Sequence, residues 1–174
     1  MKRITIGEFE IISGRVIVSD PCYDIGTWCA GVLDKVMNGP WTSFIVALEG
    51  GRVDKLLAFH GNVDRVLPWQ STPLTIGVDS GQAGIFDAEH FKKDEDVKSV
   101  ARLGTEIICE DEPWYSICSD ITLHSEHSAG VIPYGCVSSS GYGDGSYRCY
   151  IQKDDQGFIV GIQIEFITAE ESED

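Results

Sequence analysis

The sequence predicts a mainly β domain, a β-sandwich or a strongly curved antiparallel sheet, with one or two short helices. Three observations carry that expectation. Apolar residues recur at every second position through most of the chain, and Gly, Pro, Asp and Ser interrupt them at short intervals. Helical periodicity is confined to two brief stretches. Many short strands with little helix favour packed antiparallel layers over a parallel doubly wound sheet.

Taken in chain order, Ile4 and Ile6 give way to Phe9 and Ile11, and the phase slip at Gly7 predicts a β-bulge. Ser13-Gly14 turns the chain into a strand over residues 15–18. Phe44, Val46 and Leu48 mark another strand, and Gly50-Gly51 joins it to residues 53–60. Leu74, Ile76 and Val78 point one way, which puts Thr75, Gly77 and Asp79 on the other face. Asp87 reads as an N-cap for one or two helical turns within residues 87–103. Residues 110–123 predict a short helix packing Trp114, Tyr115 and Cys118 on a sheet. A segment from Val131 to Val137 leads into a glycine loop. Tyr147, Cys149 and Ile151 then alternate with Arg148, Tyr150 and Gln152. After a turn at residues 153–157, Phe158, Val160, Ile162, Ile164 and Phe166 share one face. Residues 1–168 read as a single β-rich domain and residues 169–174 as a frayed acidic tail.

Twenty-eight carboxylates against 13 Lys and Arg leave a net charge of -15. Direct nucleic-acid binding needs a basic footprint, so it is not expected. An acidic surface suits solubility, a cation, or a basic protein partner, including by mimicry of nucleic acid. No apolar run is long enough to span a bilayer, and the first residues lack a signal peptide's apolar stretch, so no membrane association and a cytoplasmic setting are expected. The six cysteines lack both a secretory context and paired zinc spacing; Cys109, Cys136 and Cys149 read as small buried hydrophobes. Trp28, Trp41, Trp69 and Trp114 read as core or edge anchors.

Three segments carry Asp, Ser and Gly at strand ends: residues 18–24, 77–87 and 138–147. If they converge, Asp20, Asp79, Asp87 and Asp144 form an acidic pocket suited to a divalent cation, the one cofactor the residues suggest. The alternative is that each aspartate closes a turn through backbone amides. The loop Gly141-Tyr142-Gly143-Asp144-Gly145 has the freedom to wrap an anion, with Tyr142 or Tyr147 to stack on a base, but it lacks a Walker ending. The expected ligand-binding set is Asp20, Asp79, Ser80, Ser139, Ser140, Gly141, Tyr142, Gly143, Asp144 and Tyr147. A catalytic Cys22, helped by His60 or His90, is disfavoured because Asp20 and Asp24 would raise its pKa. Ser139 and Ser140 lack a nucleophile elbow.

Val18-Ser19-Asp20-Pro21-Cys22-Tyr23, the run from Gly77 to Asp87, and the run from Ser139 to Tyr147 resemble the three signature segments of a family of bacterial and phage proteins of unknown function. The resemblance implies a bacterial or mobile-element setting and no particular activity. The function expected is therefore a non-enzymatic binding protein presenting the Asp/Gly/Ser loops to a small polar ligand or a protein partner. A divalent-metal hydrolase of phosphate esters and an acidic mimic that caps a basic host protein are the alternatives.

Overall fold

The computed structural model describes residues 1–61, 66–106 and 108–171. Eleven strands appear in it: β1 (Lys2–Ile11), β2 (Arg15–Ser19), β3 (Gly31–Asp34), β4 (Gly39–Ala47), β5 (Val53–His60), β6 (Gln70–Val78), β7 (Gln82–Asp87), β8 (Ala129–Ile132), β9 (Gly135–Ser139), β10 (Gly145–Lys153) and β11 (Ile159–Glu165). A 3-10 turn over Asp94–Val97 and one helix, α1 (Pro113–His124), complete the list of elements. The strands form two antiparallel sheets, ordered β1-β4-β5-β11-β10-β6 and β3-β2-β7-β9-β8. The expected β-sandwich-like architecture is observed.

The main core lies between the sheets, around Trp41, Ile45, Leu56, Ile76, Ile85, Ile162 and Ile164. A second apolar cluster lies on the far side of the five-stranded sheet, where Trp114, Ile117 and Cys118 of α1 pack on Ile17, Phe86, Phe91 and Val137. That sheet is consequently covered on both faces, and every residue of β7 is buried. Buried strands lose the polar half of the alternation, which is why β7 carries no period-two pattern. Its close packing also needs Gly84, where a Cβ would stand 2.4 Å from the Cys136 carbonyl oxygen.

The strand patterns hold with two shifts of phase. The bulge at Gly7 is present, between Thr5 and Gly7 in the pairing of β1 with β4. In β4 the core-facing residues are Trp41, Ser43, Ile45 and Ala47, and Phe44 and Val46 are only partly buried. In β11 a bulge opposite Gln152 and Lys153 brings Ile159 rather than Phe158 into the core. Asp87 does not cap a helix: residues 87–103 begin with the end of β7 and hold only the 3-10 turn over Asp94–Val97. Cys136 and Cys149 are buried as expected, but Cys109 sits half-buried in the loop before α1. Trp28 is not an anchor; it is 85% exposed. Of the acidic tail, Glu171 accepts hydrogen bonds from the Thr168 amide at 2.9 Å and hydroxyl at 3.0 Å; residues 172–174 lie outside the described residues.

The antiparallel pair β2 and β7 is clamped at both ends in the same way. Asp20, just past β2, accepts from the Asp79 amide at 2.8 Å, the Ser80 amide at 2.7 Å and the Ser80 hydroxyl at 2.6 Å, all leading into β7. Asp87, ending β7, accepts from the Ile12 amide, the Ser13 amide and the Ser13 hydroxyl, each at 2.9 Å, all leading into β2. Each aspartate also takes the amide two residues ahead, Cys22 at 2.9 Å and Glu89 at 3.1 Å. The glycine after each serine has the same left-handed backbone, φ 67° at Gly14 and 68° at Gly81. The sequence signature of the repeat is Ser-Gly, five residues, Asp, at positions 13–20 and again at 80–87.

Candidate functional site

The three Asp/Gly/Ser turns do meet, except that Asp87 lies at the opposite end of β7 from Ser80. Both oxygens of the fully buried Asp20 are occupied by the four donors named above. A carboxylate has about four lone-pair sites, so none remains for a metal. Asp144 joins the third turn to the second, accepting from the Gly81 amide at 3.0 Å, and the Ser140 amide donates to the Gly81 carbonyl at 3.1 Å. Asp79 is exposed and gives only its backbone to the hub. Among the described residues no group of three His, Cys, Asp or Glu side chains is arranged to hold a metal ion. The four-aspartate cation pocket is therefore corrected: Asp20 and Asp87 are structural clamps, Asp144 is a turn staple, and Asp79 stands apart.

The glycine loop is ordered by its own hydrogen bonds. The Ser140 hydroxyl donates to the Gly143 carbonyl at 2.8 Å, and the Tyr147 hydroxyl reaches the same carbonyl at 2.6 Å. Arg52 donates to the Gly141 carbonyl at 3.2 Å and stacks over Tyr142 at 4.4 Å. Gly141, at φ 69°, lies where a Cβ would meet Phe166 and Ile167 at 3.1 Å. Its freedom serves close packing. Tyr147 is held inward, while Tyr142 remains exposed beside Arg52. Of the residues expected to bind ligand, Ser80 and Ser139 border a cleft against α1, and Tyr147 borders a second cleft, beside Phe166 and Glu171.

The first cleft, about 460 Å³, lies between the hub and α1. Its floor is built from Gln82, Ser119 and Thr122. The Gln82 amide donates to the Ser119 hydroxyl at 2.9 Å and its carbonyl accepts from the Thr122 hydroxyl at 2.9 Å. Tyr115, Leu123 and Ile108 line the helix side, and Ser80, Ser128 and Ser139 the sheet side. Ser128 adopts φ 55°, an uncommon conformation for a residue with a Cβ, and its carbonyl accepts from the Ser139 amide at 2.9 Å. The Tyr115, Ser128 and Ser139 hydroxyls make no side-chain hydrogen bond among the described residues. No Asp, Glu, Lys, Arg or His lines the cleft among those residues.

The reactive groups near the hub are unsuited to nucleophilic work. Burial, then the hydrogen bond and charge of Asp20, push the Cys22 thiol up to about 12; Asp79 adds to this and Lys92 only partly opposes it. Burial likewise holds the Cys118 thiol above its ordinary value. His60 hydrogen-bonds the Asn38 carbonyl, and His90 pairs with Asp96 at 2.6 Å while stacking on Tyr134 at 3.6 Å. Neither serves Cys22.

The sequence reading missed Gln82, Tyr115, Ser119, Thr122 and Ser128. A signal was present: Tyr115, Ser119 and Thr122 recur at i, i+4 and i+7, one face of the helix, so hydroxyl groups line up along a side that is partly buried.

Together the fold and site define a β-sandwich protein with a helix-covered second sheet and a hydroxyl-lined cleft at its strand ends. The sequence profile of the family described as "Protein of unknown function (DUF4241)" matches residues 73–164, and the chain belongs to that family. The match runs from β6 to β11 and contains the cleft's whole lining; the Asp20 turn lies outside it. No curated protein and no solved structure matches the chain. No helix among the described residues is long and apolar enough to cross a membrane.

Proposed function

We propose that this is a binding protein, without chemistry of its own, that takes a small neutral polar molecule in the cleft beside the three-turn hub. The observation that carries this reading is the cleft's lining. Tyr115, Ser128 and Ser139, whose hydroxyls make no side-chain hydrogen bond among the described residues, line a space that no carboxylate or base borders among those residues. Its volume falls within the range of about 300–1,000 Å³ usual for small-molecule pockets. Hydroxyls both donate and accept, so they suit a sugar, polyol or nucleoside. The neutral lining and the net charge of -15 disfavour a nucleotide. A bacterial or mobile-element setting, which the sequence resemblance implies, would make the bound molecule a component of a host system.

Calorimetry and ligand-observed NMR against monosaccharides, polyols and nucleosides test the reading. A saturable ligand is expected, with binding weakened at least tenfold by Ser139→Leu, which fills the cleft, and no change in melting temperature. Turnover of the bound molecule, or binding unaffected by Ser139→Leu, would sink it.

A further inference from the structure

The loop between β2 and β3 holds Trp28 at 85% exposure and Ile25 at 56%. Large apolar side chains so fully solvated cost the molecule solubility and mark contact surfaces when they stand together. The loop is not loose. The Tyr23 amide donates to Asp20, Thr27 donates twice to the Asp24 carbonyl, and the Ala30 amide donates to Thr27. The Gly77 amide of β6 donates to the Cys29 carbonyl at 3.1 Å, and Lys92 reaches both the Cys22 carbonyl and the Asp24 carboxylate. An ordered loop presenting an indole loses little entropy when a partner covers it.

The indole edge passes over β6: a Cβ at Gly77 would lie 3.7 Å from Trp28 Cη2. Asp79 follows two residues later, just past the end of β6, and is exposed; its charge acts on Cys22 and Tyr23 of the loop. Ser146 pairs with Gly77 across the sheet, and Asp144, two residues before it, is also exposed. Asp24 lies in the loop itself with its side chain 86% exposed. An aromatic face thus stands over the end of β6 from which Asp79 and Asp144 project, while Asp24 is paired with Lys92 at 3.2 Å.

We propose that this face is an interaction surface for a basic protein segment, with a guanidinium or ammonium group seated on Trp28 between Asp79 and Asp144. An indole is the strongest aromatic partner for a cation, and the carboxylates supply charge-assisted hydrogen bonds. The charge of the chain excludes the other occupants. A second copy would bring another net charge of -15, and an anionic lipid or nucleic acid would be repelled likewise. The surface is separate from the cleft between the hub and α1, so the two readings stand or fall independently.

The test uses the full chain and a synthetic peptide of Arg-Gly repeats, with a Ser-Gly peptide for comparison, at fixed ionic strength. The Trp28 indole N–H resonance, identified by its loss in Trp28→Phe, is expected to move saturably with the arginine peptide only. Trp28→Ala should weaken binding at least tenfold and Asp79→Asn at least threefold, while Trp28→Phe stays within threefold of the parent. Asp155→Asn removes the same charge at the far end of β10 and should change affinity less than twofold. Both side chains under test are solvent-exposed, so unchanged melting temperatures are expected and establish that the variants fold. Equal losses from Asp79→Asn and Asp155→Asn with no effect of Trp28→Ala would overturn the proposal in favour of diffuse attraction. Sedimentation showing that the parent self-associates through Trp28 would overturn it in favour of a second copy.

Discussion

At the scale of single residues, the carboxylates divide by what surrounds them. Asp120 is buried, which alone would raise its pKa, but the Leu103 and Gly104 amides and His124 together hold it below the ordinary value. Asp54 has no such donors. Burial raises its pKa, opposed only by Lys55 and the chain's amino terminus. The folded state therefore holds the Asp54 proton more tightly than the unfolded chain does. Stability from this group is fully present below the ordinary carboxyl value and is lost as pH rises through the raised folded value. Asp54→Asn should accordingly be more stable than the parent at pH 7, and the gain should vanish on acidification below about pH 4, the unfolded value. Urea titrations of both proteins at the two pH values check this; equal midpoints at pH 7 would contradict it.

At the scale of elements, the clamp on β2 and β7 makes a stronger demand. Asp20→Ala leaves four donors without their acceptor, three of them backbone amides. Hydrogen bonds to a charged group contribute about 1.5–3 kcal/mol each and are not additive, so a loss of about 3 kcal/mol or more is expected. Asp20→Asn keeps one acceptor oxygen and should lose less. A fall under 1 kcal/mol in chemical denaturation of Asp20→Ala would show that the clamp is dispensable. Legibility followed exposure at this level. The hairpin of β10 and β11 could be read because its outer face is polar, whereas β7 is covered on both sides and β3 is only four residues long. Shared residues made a meeting of the three turns conceivable but did not show it, because that depends on the order of β2, β7 and β9 in one sheet. What could not be read was which oxygens were already spent, because Asp20 and Asp79 look alike in sequence and differ only in their neighbours. Trp28 failed for a related reason: nothing local distinguishes an anchoring indole from a displayed one.

For the whole molecule, the net charge of -15 acts against compactness, since folding brings the carboxylates closer together. Added salt shortens the range of that repulsion from about 30 Å at 0.01 M to about 10 Å at 0.1 M. The melting temperature should therefore rise by several degrees between low salt and 0.2 M sodium chloride, as read by circular dichroism. A flat or falling trend would mean that attractive pairs such as Arg15 with Asp34, at 2.8 Å, outweigh the repulsion. The reciprocal clamp has a further consequence for how the chain reaches this state. Each aspartate finds its three cross-strand donors only when β2 and β7 are paired in the native register. A pairing displaced by one residue forfeits the locks at both ends at once, so an error made early in folding is released rather than buried, and the amide protons of these two strands should exchange with solvent as one unit.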